Sequence, residues 1–198
     1  MCIRDRVLGI HGPNTLNALR SVIFTEQANA NLAYVAANGT AWGAPYPVNW
    51  GSINDAFGNT GGSGATLGLI IAMFIAGRKN KAQYQIAKMS LAPGLFHINE
   101  PIIFGFPLVM NPMYMVPFIL APVVTILVGY ILTVIGFCPK VVVQAPWTCP
   151  PILFGFLATG GNIMGAISQL IVFVIAVVIY VPFLLAYEKY QNKQSAEA

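Results

Sequence analysis

Long apolar runs alternate along this chain with short polar or proline-rich segments. Residues 164–187 are almost wholly apolar, and 24 residues in a helix extend about 36 Å at 1.5 Å per residue. The hydrocarbon core of a bilayer is about 30 Å thick. This run therefore predicts a transmembrane helix, and a polar tail over residues 190–198 follows it.

Two further apolar runs are less regular. Residues 65–77 are long enough to span a bilayer only if their helix extends back into the preceding "GGSG". The run over residues 101–137 is interrupted by four prolines, each of which removes a backbone donor: Pro107, Pro112, Pro117 and Pro122. It predicts a short broken element to about Met110, then a span from about Met113 to Phe137.

Two other apolar segments are rich in proline and glycine. We call them the first broken segment (residues 88–107, "KMSLAPGLFHINEPIIFGFP") and the second broken segment (residues 141–162, "VVVQAPWTCPPILFGFLATGGN"). Irregular backbone at membrane depth is tolerated where it is buried in protein or lines a cavity, and transporters place substrate sites there. The prediction is an all-α integral membrane protein with about three transmembrane helices plus re-entrant or broken helical hairpins. A helix from Pro13 to about Ala37 and a loop over residues 38–62 precede them.

Composition and charge support a membrane location. Hydrophobic residues make up 57% of the 198 residues and charged residues 8%, against roughly 25% charged in soluble domains. The net charge of +4 is too scattered for a nucleic-acid partner. The eleven-residue segment Arg78–Lys88 is predicted to be a loop; it is basic and contains no acid, so it and the tail are predicted to be cytoplasmic. The three cysteines show no metal-binding spacing, and neither a metal nor a cofactor is expected.

Glu100, in "FHINEPIIFGFP", is the sharpest candidate for chemistry. An ionisable residue within membrane-depth sequence is costly and indicates function by default. Pro101 biases the preceding residue towards extended backbone and so aims the carboxylate reproducibly. A carboxylate held there can act as general base on a hydroxyl. The alternative is a carboxylate satisfied by backbone donors at a hairpin tip.

Four other side chains are candidates for a polyol pocket. His11 in "GIHG" is flanked by Gly12, which lets a ligand approach closely, although an interior histidine is an equal alternative. His97 stands three residues before Glu100, where a local hairpin hydrogen bond is the simpler interpretation. Asn99 offers both a donor and an acceptor. Trp147 can stack on a sugar ring or anchor the chain at the membrane interface. Together they predict a site for a neutral polyol.

These residues carry a family resemblance. The motifs "GIHG", "GGSGATLGL", "NEPIIFGFPLVMNP", "PFILAPV" and "PWTCPPILFGFLATGG", with the closing apolar run, resemble enzyme IIC of the bacterial phosphotransferase system, in its lactose/cellobiose/diacetylchitobiose branch. The resemblance covers residues 8–189 and implies the C-terminal, substrate-binding half of that permease. Residues 1–7 match nothing in the family and are expected to be a non-family leader. His97 departs from the asparagine that the family tends to carry there.

The resemblance implies a function. A permease of this family carries a disaccharide across the bacterial inner membrane, and a separate cytoplasmic IIB protein phosphorylates the sugar 6-hydroxyl from a phosphocysteine. The sugar-contacting Glu and His of the family match Glu100 and His11, and its stacking Trp matches Trp147. A homodimer is implied for the full-length protein, and the 198 residues alone are expected not to transport sugar. The identity of the disaccharide cannot be read from the sequence.

Two other function classes remain open at this point. In an ion-coupled or passive transporter half, Glu100 would bind a coupling proton and no phosphoryl transfer would occur. A purely structural membrane fragment is the third class. Phosphoryl transfer from phosphorylated IIB distinguishes the phosphotransferase permease from both of these alternatives.

Overall fold

The computed structural model describes residues 17–77, 80–106, 108 and 111–197. All regular elements in this part of the chain are helical. In chain order they are α1 (Asn17–Asn38), a π-helix (Gly51–Gly58), α2 (Thr66–Ile75), α3 (Lys81–Leu95), α4 (Glu100–Gly105), α5 (Pro112–Val134), α6 (Leu153–Ala158) and α7 (Ile163–Glu197). The predicted all-α class is therefore confirmed for the described residues.

Two described helices are long and apolar enough to cross a bilayer. They are Met113–Val134 and Ile163–Gln191, close to the two spans that the apolar runs predict. Helix α5 ends where Gly136 takes φ +84° and the amide of Phe137 returns to the Leu132 carbonyl at 2.9 Å. Helix α7 continues well past residue 187, to Glu197.

The prediction of about three transmembrane helices is not confirmed. Helix α2 has ten residues, or about 15 Å, which is half the thickness of the hydrocarbon core. Its extension back into "GGSG" does not form, because Gly61, Gly62 and Gly64 all take positive φ. Ala65 has φ +51° at the N-cap of α2, so the helix starts only at Thr66.

The predicted basic loop is largely helical. Lys81 and Lys88 both lie in α3, while Arg78 and Lys79 lie outside the described residues. The side chain of Asn80 accepts hydrogen bonds from the amides of Ala82 and Gln83 at 3.1 and 3.3 Å, which caps the helix. A cluster of cations indicates which side of the membrane a segment faces, but it is compatible with a helix as well as with a loop. The loop prediction over these residues was therefore wrong.

The predicted loop over residues 38–62 contains the π-helix Gly51–Gly58. Phe57 of this π-helix is buried against Gly129 of α5, where a side chain larger than hydrogen would collide with its ring. The predicted helix start at Pro13 lies outside the described residues. Helix α1 ends at Asn38, one residue beyond the predicted end.

Helix α7 is the centre of the packing. It contacts α2, α5, α6 and the π-helix. The main core is apolar and aromatic, with Ile70 of α2, Ile102 of α4, Phe118 of α5 and Leu184 of α7 all fully or almost fully buried. This core therefore fixes the first broken segment against both long helices.

Candidate functional site

The first broken segment forms a helical hairpin with a tight tip. Helix α3 ends at Leu95, and the amide of Ile98 returns to the Pro93 carbonyl at 3.0 Å. His97 has φ +62°, a left-handed conformation that is uncommon for a residue other than glycine. Helix α4 then begins with Glu100, and Pro101 fills a first-turn position where no backbone N–H is needed. The chain thus reverses over four residues and leaves Glu100 at the turn.

Asn99 is buried at this tip, with 2% of its surface exposed. Its Nδ2 donates to the backbone carbonyl of Ser63 at 3.1 Å. Gly62 makes this possible, because a Cβ there would lie 2.8 Å from Cγ of Asn99. The carboxamide predicted to contact sugar therefore holds the tip against the glycine-rich turn before α2. Its role as a sugar ligand stays a prediction.

The same glycine-rich turn is held from two other directions. The hydroxyl of Tyr180, fully buried in α7, donates to the Gly64 carbonyl at 2.6 Å. The hydroxyl of Thr66 donates to the Gly61 carbonyl at 2.8 Å. Carbonyls that leave the helical pattern at membrane depth need such donors, because no water replaces them. The turn is consequently a rigid support for Asn99 and for the residue that follows it.

His97 connects the two broken segments. Its imidazole is hydrogen-bonded to the backbone of Trp147, and its ring centroid lies 6.2 Å from that of Phe154. Nε2 is buried and has no hydrogen-bond partner among the described residues. Burial lowers the pKa of His97 to about 4, against the opposing effect of the Trp147 backbone. The ring is therefore neutral at pH 7.

Glu100 and Trp147 are both exposed in this structure. Trp147 has 64% of its surface exposed, although its backbone is held by His97. Glu100 is exposed at the start of α4, in the first turn, where an acidic side chain interacts favourably with the helix dipole. Among the described residues, no apolar enclosure of the kind that its neighbours in the sequence suggest surrounds this carboxylate. His11 and Gly12 lie outside the described residues.

Gln169 of α7 holds the second broken segment. Its Oε1 accepts from the amides of Ile152 and Gly155 at 2.8 and 2.6 Å, and its Nε2 donates to the Ala56 carbonyl of the π-helix at 3.0 Å. The side chain is fully buried. Ile152 has φ +76°, so the segment turns sharply where Gln169 binds it. This one amide ties together α7, the π-helix and the residues that follow Trp147.

The residues predicted from the sequence did not include Tyr180 and Gln169, and the contact between Asn99 and the glycine-rich turn was not predicted. A signal for the first two was present, since they are polar groups inside the apolar run of residues 164–187. Polar side chains in such a run face other protein segments and bond to them. Within the part of the chain that the structure describes, no group of three His, Cys, Asp or Glu residues could hold a metal ion.

Comparison with known proteins gives consistent matches. The family model described as "Phosphotransferase system, EIIC" matches residues 6–122. The lichenan permease IIC component of Bacillus subtilis (strain 168) is 40% identical over 189 residues, which cover 94% of this chain and 40% of that protein. The cellobiose-specific EIIC component of Lactococcus lactis subsp. lactis (strain IL1403) is 31% identical over 204 residues, covering 94% of this chain and 41% of that protein.

A solved structure shares the fold. The crystal structure of ChbC, the IIC component of an N,N'-diacetylchitobiose-specific phosphotransferase system, superposes with a TM-score of 0.89 at 34% identity. The match covers 99% of this chain and 44% of ChbC. The chain thus spans about two fifths of the length of the proteins that it matches.

Proposed function

Because the chain belongs to the EIIC family of the phosphotransferase system, we propose that it forms the sugar-binding part of a membrane-embedded permease. The proposed substrate is a disaccharide of the cellobiose, lactose or diacetylchitobiose class. The names of the relatives support this class, since they refer to lichenan, oligo-beta-mannoside, cellobiose, lactose and diacetylchitobiose. The location is the bacterial inner membrane, with several spans in the complete protein.

The observation that carries the proposal is the junction of the two broken segments. The His97 ring lies 6.2 Å from the ring of Phe154 and beside the backbone of Trp147, which brings the residues around Glu100 next to the residues around the indole. A carboxylate held on such a turn can accept a hydrogen bond from a sugar hydroxyl, and an exposed aromatic ring can stack on the apolar face of a pyranose. We propose that the sugar site contains six residues: His11, Gly12, His97, Asn99, Glu100 and Trp147.

The proposed chemistry is transfer of a phosphoryl group to the 6-hydroxyl of the sugar. The hydroxyl oxygen attacks the phosphorus of a phosphocysteine on a cytoplasmic IIB protein, the P–S bond breaks, and the thiolate leaves. Glu100 accepts the hydroxyl proton as general base. His11 orients the sugar. The Nε2 atom of His97, which has no partner among the described residues, is available to a sugar hydroxyl if the tip opens.

The partners follow from this proposal. They are the disaccharide, the phosphorylated IIB protein and the lipid bilayer, with a second copy of the full-length chain in a homodimer. Lys81, Lys88 and the end of α7 are proposed to face the cytoplasm, where IIB is found. The occurrence of lactose-specific proteins described as EIICB components supports a functional link between IIC and IIB.

Substituting Glu100 by glutamine tests the proposal. The variant is made in the chain extended to the full length of its relatives, and disaccharide binding is measured beside single-turnover phosphate transfer from phosphorylated IIB. Loss of the base should lower transfer by roughly 10²–10⁴-fold. Binding should weaken less, by about 10–150-fold, because one hydrogen bond to a charged group contributes about 1.5–3 kcal/mol.

Glu26→Gln is the matched control, because Glu26 is exposed on α1 and the same charge is removed there. Both measured quantities should stay at the parent value. A Glu100→Gln protein that transfers phosphate at close to the parent rate would show that Glu100 is only a ligand or a structural residue. Sugar uptake without any transfer from IIB would instead favour the ion-coupled or passive transporter.

A further inference from the structure

Two neighbouring cavities lie beside the last third of α5. One, of about 280 Å³, is at the end of the helix and is lined by Trp42, Thr133 and Lys140 among others. The second, of about 150 Å³, lies beside Ile126, Leu127 and Tyr130. Pro47 lines both cavities, and Ile126, Tyr130 and Thr133 follow one another on one face of α5, so the two cavities succeed each other along that face and are together called the crevice. Seven residues separate Ile126 from Thr133, which places the two cavities about 10 Å apart along the helix axis.

The chemistry of the crevice changes from one end to the other. Lys140 is the one charged residue of the sequence between Glu100 and Glu188. Its Nζ donates to the Trp42 carbonyl at 3.3 Å. An ammonium group has three donors, and the other two have no partner among the described residues. Towards the middle of α5, in contrast, aliphatic and aromatic side chains form the walls.

The crevice extends past the end of an apolar span. Its apolar end lies inside the span Met113–Val134, and its charged end lies just beyond it. Trp42 is 40% exposed and Tyr130 44%, and aromatic residues of this kind are enriched at the level of lipid headgroups. A cation next to a tryptophan, above an apolar slot, matches a molecule with an anionic head and a hydrocarbon tail.

We propose that this crevice binds one anionic phospholipid. The lipid phosphate lies at Lys140, and an acyl chain lies along Ile126 and Leu127 towards the bilayer centre. Charge complementarity and the succession of the two cavities along one face of α5 support this occupant. None of the residues that line the crevice belongs to the proposed sugar site, and the inference does not depend on the proposed function.

Quenching of tryptophan fluorescence by brominated lipid tests the site. The full 198-residue chain with Trp50→Phe and Trp147→Phe retains Trp42 as its one tryptophan. It is reconstituted in phosphatidylcholine vesicles, and phosphatidylglycerol brominated near the top of the acyl chain replaces part of the lipid. Brominated phosphatidylcholine at the same mole fraction is the reference. Helicity by circular dichroism is compared for every variant.

We expect the brominated phosphatidylglycerol to quench Trp42 with about fivefold higher apparent affinity, because one lysine near an anionic headgroup contributes about 1 kcal/mol. Lys140→Gln should remove this preference, and Lys140→Arg should retain it. Lys81→Gln, an exposed lysine outside both cavities, should leave it unchanged. In the parent, raising the salt to about 1 M should reduce the preference, since the Debye length falls to about 3 Å.

Equal quenching by the two lipids in the parent would overturn the proposal. So would a preference that survives in Lys140→Gln. Absence of quenching by either lipid would mean that protein, from a second copy or another chain segment, covers the crevice, and this result would also overturn it. The salt dependence decides the question in the parent chain even where Lys140→Gln fails to fold.

Discussion

Replacing Gln169 by leucine tests whether one buried amide fixes the second broken segment. Leucine has a similar size but can neither accept nor donate a hydrogen bond. The substitution removes the acceptor for the amides of Ile152 and Gly155 and the donor to Ala56. The Gln169 side chain is fully buried, and its bonds to Gly155 and Ala56 are buried, while the bond to Ile152 is partly buried.

The size of the effect follows from the number of lost partners. A buried donor or acceptor left without a partner costs about 1–3 kcal/mol. With two amides affected, Gln169→Leu should lower the free energy of unfolding by about 2–5 kcal/mol, after allowance for the apolar contacts that leucine gains. A typical domain is stable by about 5–15 kcal/mol, so the variant should still fold.

The assay is equilibrium unfolding in detergent, followed by far-ultraviolet circular dichroism. Gln144→Leu is the matched control, since Gln144 is exposed, and its unfolding free energy should stay within about 0.5 kcal/mol of the parent. A Gln169→Leu protein as stable as Gln144→Leu would refute the reasoning.

Two further predictions concern the tip of the first broken segment. The free energy of unfolding of the parent should fall as the pH decreases from about 6.5 to about 4, because His97 takes up a proton in the unfolded chain but not in the folded protein, where its pKa is lowered. His97→Asn, measured by the same unfolding assay across pH, should lose this part of the pH dependence. Asparagine tolerates the left-handed backbone at this position. Gly62→Ala should lower the free energy of unfolding by about 1–3 kcal/mol through backbone strain at φ +102°, and further through contact with Asn99. Gly136→Ala, at φ +84° with open space around it, should show the strain alone. Equal losses of stability in the two variants would contradict the proposed contact.

The long apolar spans could be predicted because length and hydrophobicity determine them directly. Helices α5 and α7 fall where the runs over residues 113–137 and 164–187 place them. The resemblance in the motifs identified the family correctly. Both predictions depend on local sequence or on motifs that are contiguous in the chain.

The remaining features depend on contacts between distant residues. Whether "GGSG" extends α2 is decided by Asn99 and Tyr180, which are far away in the sequence and hold its carbonyls in a non-helical turn. The link between His97 and Trp147 joins residues 50 positions apart, and neither residue type specifies the other. The exposure of Glu100 likewise follows from the packing of α4, which its apolar neighbours in sequence do not reveal.

The side chains that support the two broken segments bind main-chain atoms. Asn99 and Tyr180 bond to carbonyls of the glycine-rich turn, and Gln169 bonds to amides of the second broken segment. A main-chain atom is present whichever side chain its residue carries. Of the proposed ligand residues, Glu100 and Trp147 can therefore be exchanged without loss of these bonds, whereas Asn99 cannot, because its own side chain makes one of them. Under the proposed function, single substitutions at the first two positions would change which sugar is bound while the supporting helices and turns stay intact.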